Sequence, residues 1–144
     1  MNLDNKVLTF TMKMPKLEQI AKYNINGKIM VLPVYGSGDS KITLSGAKII
    51  HTIKFKEEIK NKKVYFKIIS YRVEFTVENA HFQFENLFNG DKQLAENILK
   101  VLNENGRVLF EDASEGIDKS YAEVYKNIAT RFFQNVPVDD IFLP

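Results

Sequence analysis

The sequence predicts an α+β chain, with strands first and long helices last. From Val7 to Phe84 apolar and polar residues alternate with a period of two in one segment after another, and from Asp91 the period changes to about 3.6. That order packs as an antiparallel meander covering an amphipathic helix. With no internal repeat, low-complexity tract or linker, residues 1–144 read as a single domain: antiparallel strands over 1–89, helices over 90–135 and a tail over 136–144.

Leu8, Phe10, Met12 and Met14 alternate with Thr9, Thr11 and Lys13, a half-buried strand that Pro15 should end or bend. Leu17, Ala21, Tyr23 and Ile25 share one parity. Gly27 to Val34 is apolar at nearly every position, the pattern of a strand covered on both faces, with Pro33 marking an edge or bulge. Gly36-Ser37-Gly38-Asp39 reads as a turn, and alternation resumes from Ser40 to Leu44. Ala47, Ile49, His51, Ile53 and Phe55 then face one way against Lys48, Thr52, Lys54 and Lys56. Lys60-Asn61-Lys62-Lys63 is a hairpin turn by composition, after which Tyr71, Val73, Phe75 and Val77 alternate with Arg72, Glu74, Thr76 and Glu78. Parity changes before Ala80, Phe82 and Phe84, which places a bulge or tight turn at Glu78-Asn79. Asp91 stands where it can cap a helix whose face carries Leu94, Ile98, Val101 and Leu102. A second helical stretch presents Leu109, Ala113, Ile117, Tyr121, Val124, Ile128 and Phe132, with a break or kink expected at Gly106 or Gly116.

Composition excludes several function classes. No apolar run approaches the ~20 residues that cross a bilayer, so the chain reads as soluble, with no stable membrane insertion. A net charge of +2 with dispersed lysines argues against a nucleic-acid partner. The absence of cysteine removes disulfides, thiol nucleophiles and cysteine metal sites. Met1 to Lys6 lack the basic patch and apolar stretch of a secretory signal. His51 and His81 have no second histidine at metal spacing, and Glu111, Asp112, Glu115 and Asp118 read as a polar helix face. Gly36-Ser37-Gly38 lacks the lysine and following helix of a phosphate loop, and no serine lies in a nucleophile elbow. Neither a catalytic residue, a metal site nor a cofactor is expected, and the chain does not read as an enzyme.

What the sequence does supply is apolar surface: eleven phenylalanines and six tyrosines on alternating strands. A strongly curved sheet over a helix can leave an apolar void fitted to a lipid-like guest. By parity and helix face, its lining is expected from Phe10, Met12, Val73, Phe75, Phe82, Phe84, Ile98, Leu102, Tyr121, Val124, Ile128 and Phe132, with His51 or Tyr121 as a polar anchor.

The stretch Asn86-Leu87-Phe88-Asn89-Gly90-Asp91-Lys92-Gln93-Leu94, followed by Leu102-Asn103-Glu104-Asn105, resembles the most recognisable part of takeout / juvenile-hormone-binding proteins. Val136-Pro137-Val138-Asp139-Asp140-Ile141-Phe142 is similar to that family's ending. Tyr23, Gly27-Lys28, Leu32-Pro33-Val34 and Gly36-Ser37-Gly38 resemble its middle strands, and Pro15-Lys16-Leu17 the turn before them. The resemblance implies a long C-terminal helix wrapped by a highly curved antiparallel sheet, as in lipid-binding TULIP-like proteins, with an apolar tunnel for a juvenile-hormone-like terpenoid, fatty acid or similar lipid. It also implies a secreted insect carrier tied to circadian or feeding behaviour, and a chain incomplete at its N-terminus. A complete chain would then be a monomer, and a truncated one would associate through an exposed sheet edge. The alternative is a non-catalytic interaction module, or a truncated paralogue with a filled core and no ligand.

Overall fold

A computed structural model describes residues 6–29 and 31–142; expectations that touch residues 1–5, Met30, Leu143 and Pro144 lie outside the described residues. The chain forms β1 (Val7–Ile29), β2 (Leu32–Lys60), β3 (Lys63–Thr76), β4 (Asn79–Phe84), a 3-10 turn (Phe88–Gly90), α1 (Lys92–Glu104), α2 (Gly106–Asn135) and the single-turn α3 (Val138–Ile141). β1 and β3 flank β2, and β4 also pairs with β2. Connections of two residues between hydrogen-bonded neighbours leave only antiparallel pairing for β1–β2 and β2–β3. β4 is antiparallel as well, with Ser40 opposite Phe84 and Ser45 opposite Asn79. The fold is therefore α+β, with an antiparallel sheet and a long C-terminal helix.

β1, β2 and β3 run far beyond the usual ~5–6 residues, and the first two correct three expectations. Pro15 does not end β1, which continues through it to Ile29; β1 lies at an end of the strand order, where a missing N–H removes no interior ladder bond. Gly36-Ser37-Gly38-Asp39 is not a turn but part of β2. Segment 85–87 crosses it closely: Gly36 bridges Leu87, Glu85 N–H donates to the Asp39 carbonyl at 2.8 Å, and a Cβ on Gly38 would lie 2.7 Å from the Glu85 carbonyl oxygen. Turn composition here serves close backbone approach. The Gly27 to Val34 run is not covered on both faces, since Val34 is buried while Val31 and Pro33 are exposed.

The hairpin at Asn61-Lys62 has φ of 49° and 62°, the left-handed pair that matches strand twist. The interruption expected at Glu78-Asn79 falls between Thr76 and Asn79. It has a counterpart on β2: the buried positions Ala47, Ile49, His51, Ile53 and Phe55 are odd, whereas Val34, Ser40 and Leu44 are even. At the switch Gly46 takes φ +60°, the Glu78 side chain fills the space a Cβ would need, and Glu78 N–H donates to the Ser45 carbonyl at 3.0 Å. Asp91 caps α1, its carboxylate accepting from Leu94 N–H at 3.1 Å. The helical run breaks at Asn105 and continues unbroken through Gly116.

Two compact units result, each with its own core. One comprises Met1–Met12, Lys48–Phe75 and Ser114–Pro144; the other comprises Lys13–Ala47 and Thr76–Ala113. In the first, Ile53, Phe55, Phe66 and Phe133 form a buried cluster, with the Phe133 ring 4.8 Å from Phe55 and Phe142 6.0 Å from Phe66. In the second, Val34, Leu87, Ile98 and Leu102 are buried together, and α1 packs on β4. There Asn103 extends the strand edge, donating to the Phe82 carbonyl at 3.1 Å and accepting from Phe82 N–H at 2.6 Å.

The expected apolar face of α2 is corrected over its second half. Val124, Ile128 and Phe132 are 58%, 62% and 49% exposed, while Tyr125 and Ala129 are half-buried and Phe133 is buried. Helical residues one apart differ by about 100°, so seating the Phe133 ring against Phe55 and Phe66 turns its neighbour outward.

Phe133→Ala should therefore cost about 3–5 kcal/mol in urea unfolding, and Phe132→Ala less than about 1 kcal/mol. Gly46→Ala should cost more than about 1 kcal/mol, because alanine is strained at positive φ and meets Glu78. Adding Glu78→Ala should recover the steric part of that loss in a double-mutant cycle.

Candidate functional site

In the first unit the inward row of β2 delivers His51 into a shell of rings. His51 is fully buried. Phe10 of β1 stacks on its imidazole at 4.5 Å and 9°, Tyr125 of α2 meets it edge-on at 4.7 Å, and Tyr71 of β3 edge-on at 5.9 Å. Nδ1 lies 3.1 Å from the Tyr71 hydroxyl, while Nε2 has no hydrogen-bond partner among the described residues. The row of rings continues from Tyr125 to Tyr121 at 6.1 Å and from Tyr121 to Phe75 at 5.4 Å. The structure thus brings together Phe10, His51, Phe75 and Tyr121; Val73 is buried and Met12 half-buried in the same unit. Val124, Ile128 and Phe132 are exposed and stand apart from this row. Tyr71 and Tyr125 were not selected from sequence, although Tyr121, Tyr125, Ala129 and Phe133 repeat at strict four-residue steps.

Burial governs protonation here. Desolvation holds His51 below its ordinary 6.5, and it raises the Tyr71 phenol, with Tyr125 adding to that effect. The pair is therefore a neutral imidazole beside a protonated phenol at neutral pH. The carboxylates of α2 do not converge: Glu111 pairs with Arg107 at 2.7 Å, Glu115 with Lys119 at 2.6 Å, and Asp118 accepts Phe75 N–H at 2.9 Å. Among the described residues no group of three or more metal-capable side chains gathers.

The second unit holds apolar hollows. Ile29, Phe82, Phe84, Leu102 and Leu109 line a pocket of about 180 Å³. Another of about 410 Å³ is lined by Leu32, Pro33, Tyr35, Phe88, Leu94, Ile98 and Val101, with Asn97 the one polar amide among its described lining residues. Phe82, Phe84 and Leu102 thus line one hollow and Ile98 the other, while a more polar groove of about 580 Å³ runs past Ser40, Lys41, Gln83 and Glu85. The motif residues serve as scaffold: Asp91 caps α1, Asn103 pairs with Phe82, and the Tyr23 hydroxyl donates to the Glu85 carbonyl beside the Gly36 crossing.

Because folding depresses the His51 pKa, the unfolded chain takes up that proton more readily as pH falls. The His51 contribution should be complete above about pH 7 and decline as pH falls below its ordinary 6.5. Urea midpoints across that range should show the decline in the native chain and a flatter profile in His51→Phe.

The family model of haemolymph juvenile hormone binding protein matches residues 1–143. The circadian clock-controlled protein daywake of Drosophila melanogaster is 32% identical over 139 residues, covering 94% of this chain and 52% of that protein. Its Drosophila yakuba counterpart is 31% identical over 137 residues, with 94% and 52% covered. The crystal structure of takeout 1 from Epiphyas postvittana superposes with a TM-score of 0.87 at 28% identity, over 95% of this chain and 64% of that one. The chain spans about half the length of the curated relatives it matches. With the family model matched along nearly its whole length and its strands and helices laid out as in takeout 1, the chain belongs to the haemolymph juvenile hormone binding protein family.

Proposed function

We propose that this chain binds and carries a small hydrophobic molecule, selected by shape and burial and left chemically unchanged. The observation that carries this reading is the 410 Å³ hollow walled by Leu32, Pro33, Tyr35, Phe88, Leu94, Ile98 and Val101, whose size falls within the ~300–1,000 Å³ of small-molecule sites. Burying about 400 Å² of guest at ~25 cal/mol/Å² contributes on the order of 10 kcal/mol before association costs. Membership of a juvenile hormone binding family supports a terpenoid, fatty acid or similar lipid as the guest, and supports a secreted carrier. The names of the daywake relatives support a link to circadian output.

A second reading, association with another chain, draws on the exposed stripe Val124, Ile128 and Phe132. Native purification followed by organic extraction and mass spectrometry separates the two. Carriage predicts a monomer with a lipid at near one-to-one stoichiometry. A ligand-free oligomer that dissociates on Ile128→Lys would instead favour association.

Leu94 is 47% exposed on the wall of the hollow. Leu94→Glu should weaken binding of a lipophilic dye at least about tenfold, since a carboxylate there must be desolvated by an apolar guest. Its unfolding free energy in urea should stay within about 1 kcal/mol of that of the native chain.

A further inference from the structure

We infer that the outward face of the β2–β3 hairpin is a contact surface for an anionic lipid bilayer, its lysines meeting the headgroups and Tyr65 and Ile69 the apolar boundary. The inference goes beyond the carriage reading and is independent of it. Residues 54–67 hold six lysines and two glutamates, a net +4 in a chain of net +2, so all other residues together carry −2. The positive charge is thus concentrated on one hairpin of the first unit.

Strand geometry puts the lysines on one side. Ile53, Phe55 and Phe66 are buried, so alternation turns Lys54, Lys56 and Lys60 of β2 and Lys63 and Lys67 of β3 outward, and all five are exposed. The two-residue turn Asn61-Lys62 sets Lys60 opposite Lys63 and brings the two rows alongside each other. Glu58 reports the same arrangement: its carboxyl is held below the ordinary 4.5 first by the hydrogen bond from Lys60 and then by the charges of Lys60, Lys67 and Lys56. Lys60 meets that carboxylate at 3.0 Å, and Glu57 pairs with Lys6 at 3.2 Å. Lys54, Lys56, Lys62, Lys63 and Lys67 make no salt bridge among the described residues. Neighbouring lysines on a strand stand about 7 Å apart, inside the ~8–10 Å over which salt leaves a field unscreened, so their potentials add.

The apolar members of the face favour a bilayer over a polyanion in water. Ile69 follows Lys67 on the outward parity and is 58% exposed, and Tyr65 lies between Lys63 and Lys67 with its ring 5.9 Å from Lys60 Nζ. Ile59, beside the turn, is 75% exposed. Lysine stems that snorkel, a tyrosine and exposed isoleucines compose an interfacial surface. A nucleic acid or a sulfated glycan would leave the isoleucines in water.

The test is flotation of the full chain with vesicles of phosphatidylcholine alone and of phosphatidylcholine with about a third phosphatidylserine, at low and at high salt. The expected result is at least about tenfold tighter binding to the anionic vesicles, lost at high salt. Lys56→Gln with Lys67→Gln should weaken that binding at least about tenfold, whereas Lys13→Gln with Lys92→Gln, the same charge change away from the hairpin, should weaken it less than about threefold. Ile69→Ser should weaken it at least about threefold. Equal binding to both vesicles, equal loss in the two lysine pairs, or no loss in Ile69→Ser overturns the assignment. Absence of flotation with either vesicle also overturns it, and retention on heparin in that case assigns the hairpin to a soluble polyanion. None of these outcomes bears on whether the chain carries a guest.

Discussion

Leu44 and Ala47 are both buried although they lie three residues apart on one strand, and so are Val77 and Ala80 opposite them. Side chains three apart on a regular strand point to opposite faces, so neither pair can be inward unless the backbone is interrupted. The interruption occurs on both sides of the ladder at one level, Ser45-Gly46 against Glu78-Asn79, and the pairing of Ser45 with Asn79 survives it. Gly46 absorbs the change with a left-handed φ that other residues adopt at a cost, and the Glu78 side chain occupies the space so released. At this level the buried positions pass from even to odd along β2 and from odd to even between β3 and β4. Within the second unit, Ala80, Phe82 and Phe84 follow the switch on one parity, with Ala80 buried and Phe82 and Phe84 lining the apolar hollow.

Strand parity was legible wherever side-chain chemistry alternates, and the inward row Ala47 to Phe55 and the helix cap Asp91 could be read directly. Punctuation was less legible. Pro15 and Gly36-Ser37-Gly38 have the composition of chain breaks, yet one lies in an end strand and the other beneath a crossing segment 49 residues away along the chain. Nothing local encodes such a crossing. The second half of α2 could not be read for a different reason: Val124, Ile128 and Phe132 form one apolar stripe, and Tyr125, Ala129 and Phe133 form another one residue along. Periodicity describes both equally well, and the choice falls to tertiary packing, where Phe133 finds two rings to pack against.

That division extends to the motif residues. Those that carry the family resemblance do backbone tasks in this molecule: Asp91 closes a helix end, Asn103 pairs with both backbone groups of Phe82, and Gly36 admits Leu87. Such tasks require particular polar side chains or none, so they leave a sharp mark in sequence. An apolar hollow requires only volume and low polarity, which Leu, Ile, Val and Phe supply interchangeably. The fold is therefore far easier to recognise than the lining.

Selectivity then depends on the few positions that are not interchangeable. An apolar wall distinguishes guests differing by a methylene by only about 1–3 kcal/mol, whereas a buried group awaiting a hydrogen bond discriminates more strongly against a guest that cannot supply it. In the first unit the His51 ring is held by Phe10, Tyr71 and Tyr125, and burial lowers its pKa and favours the neutral form.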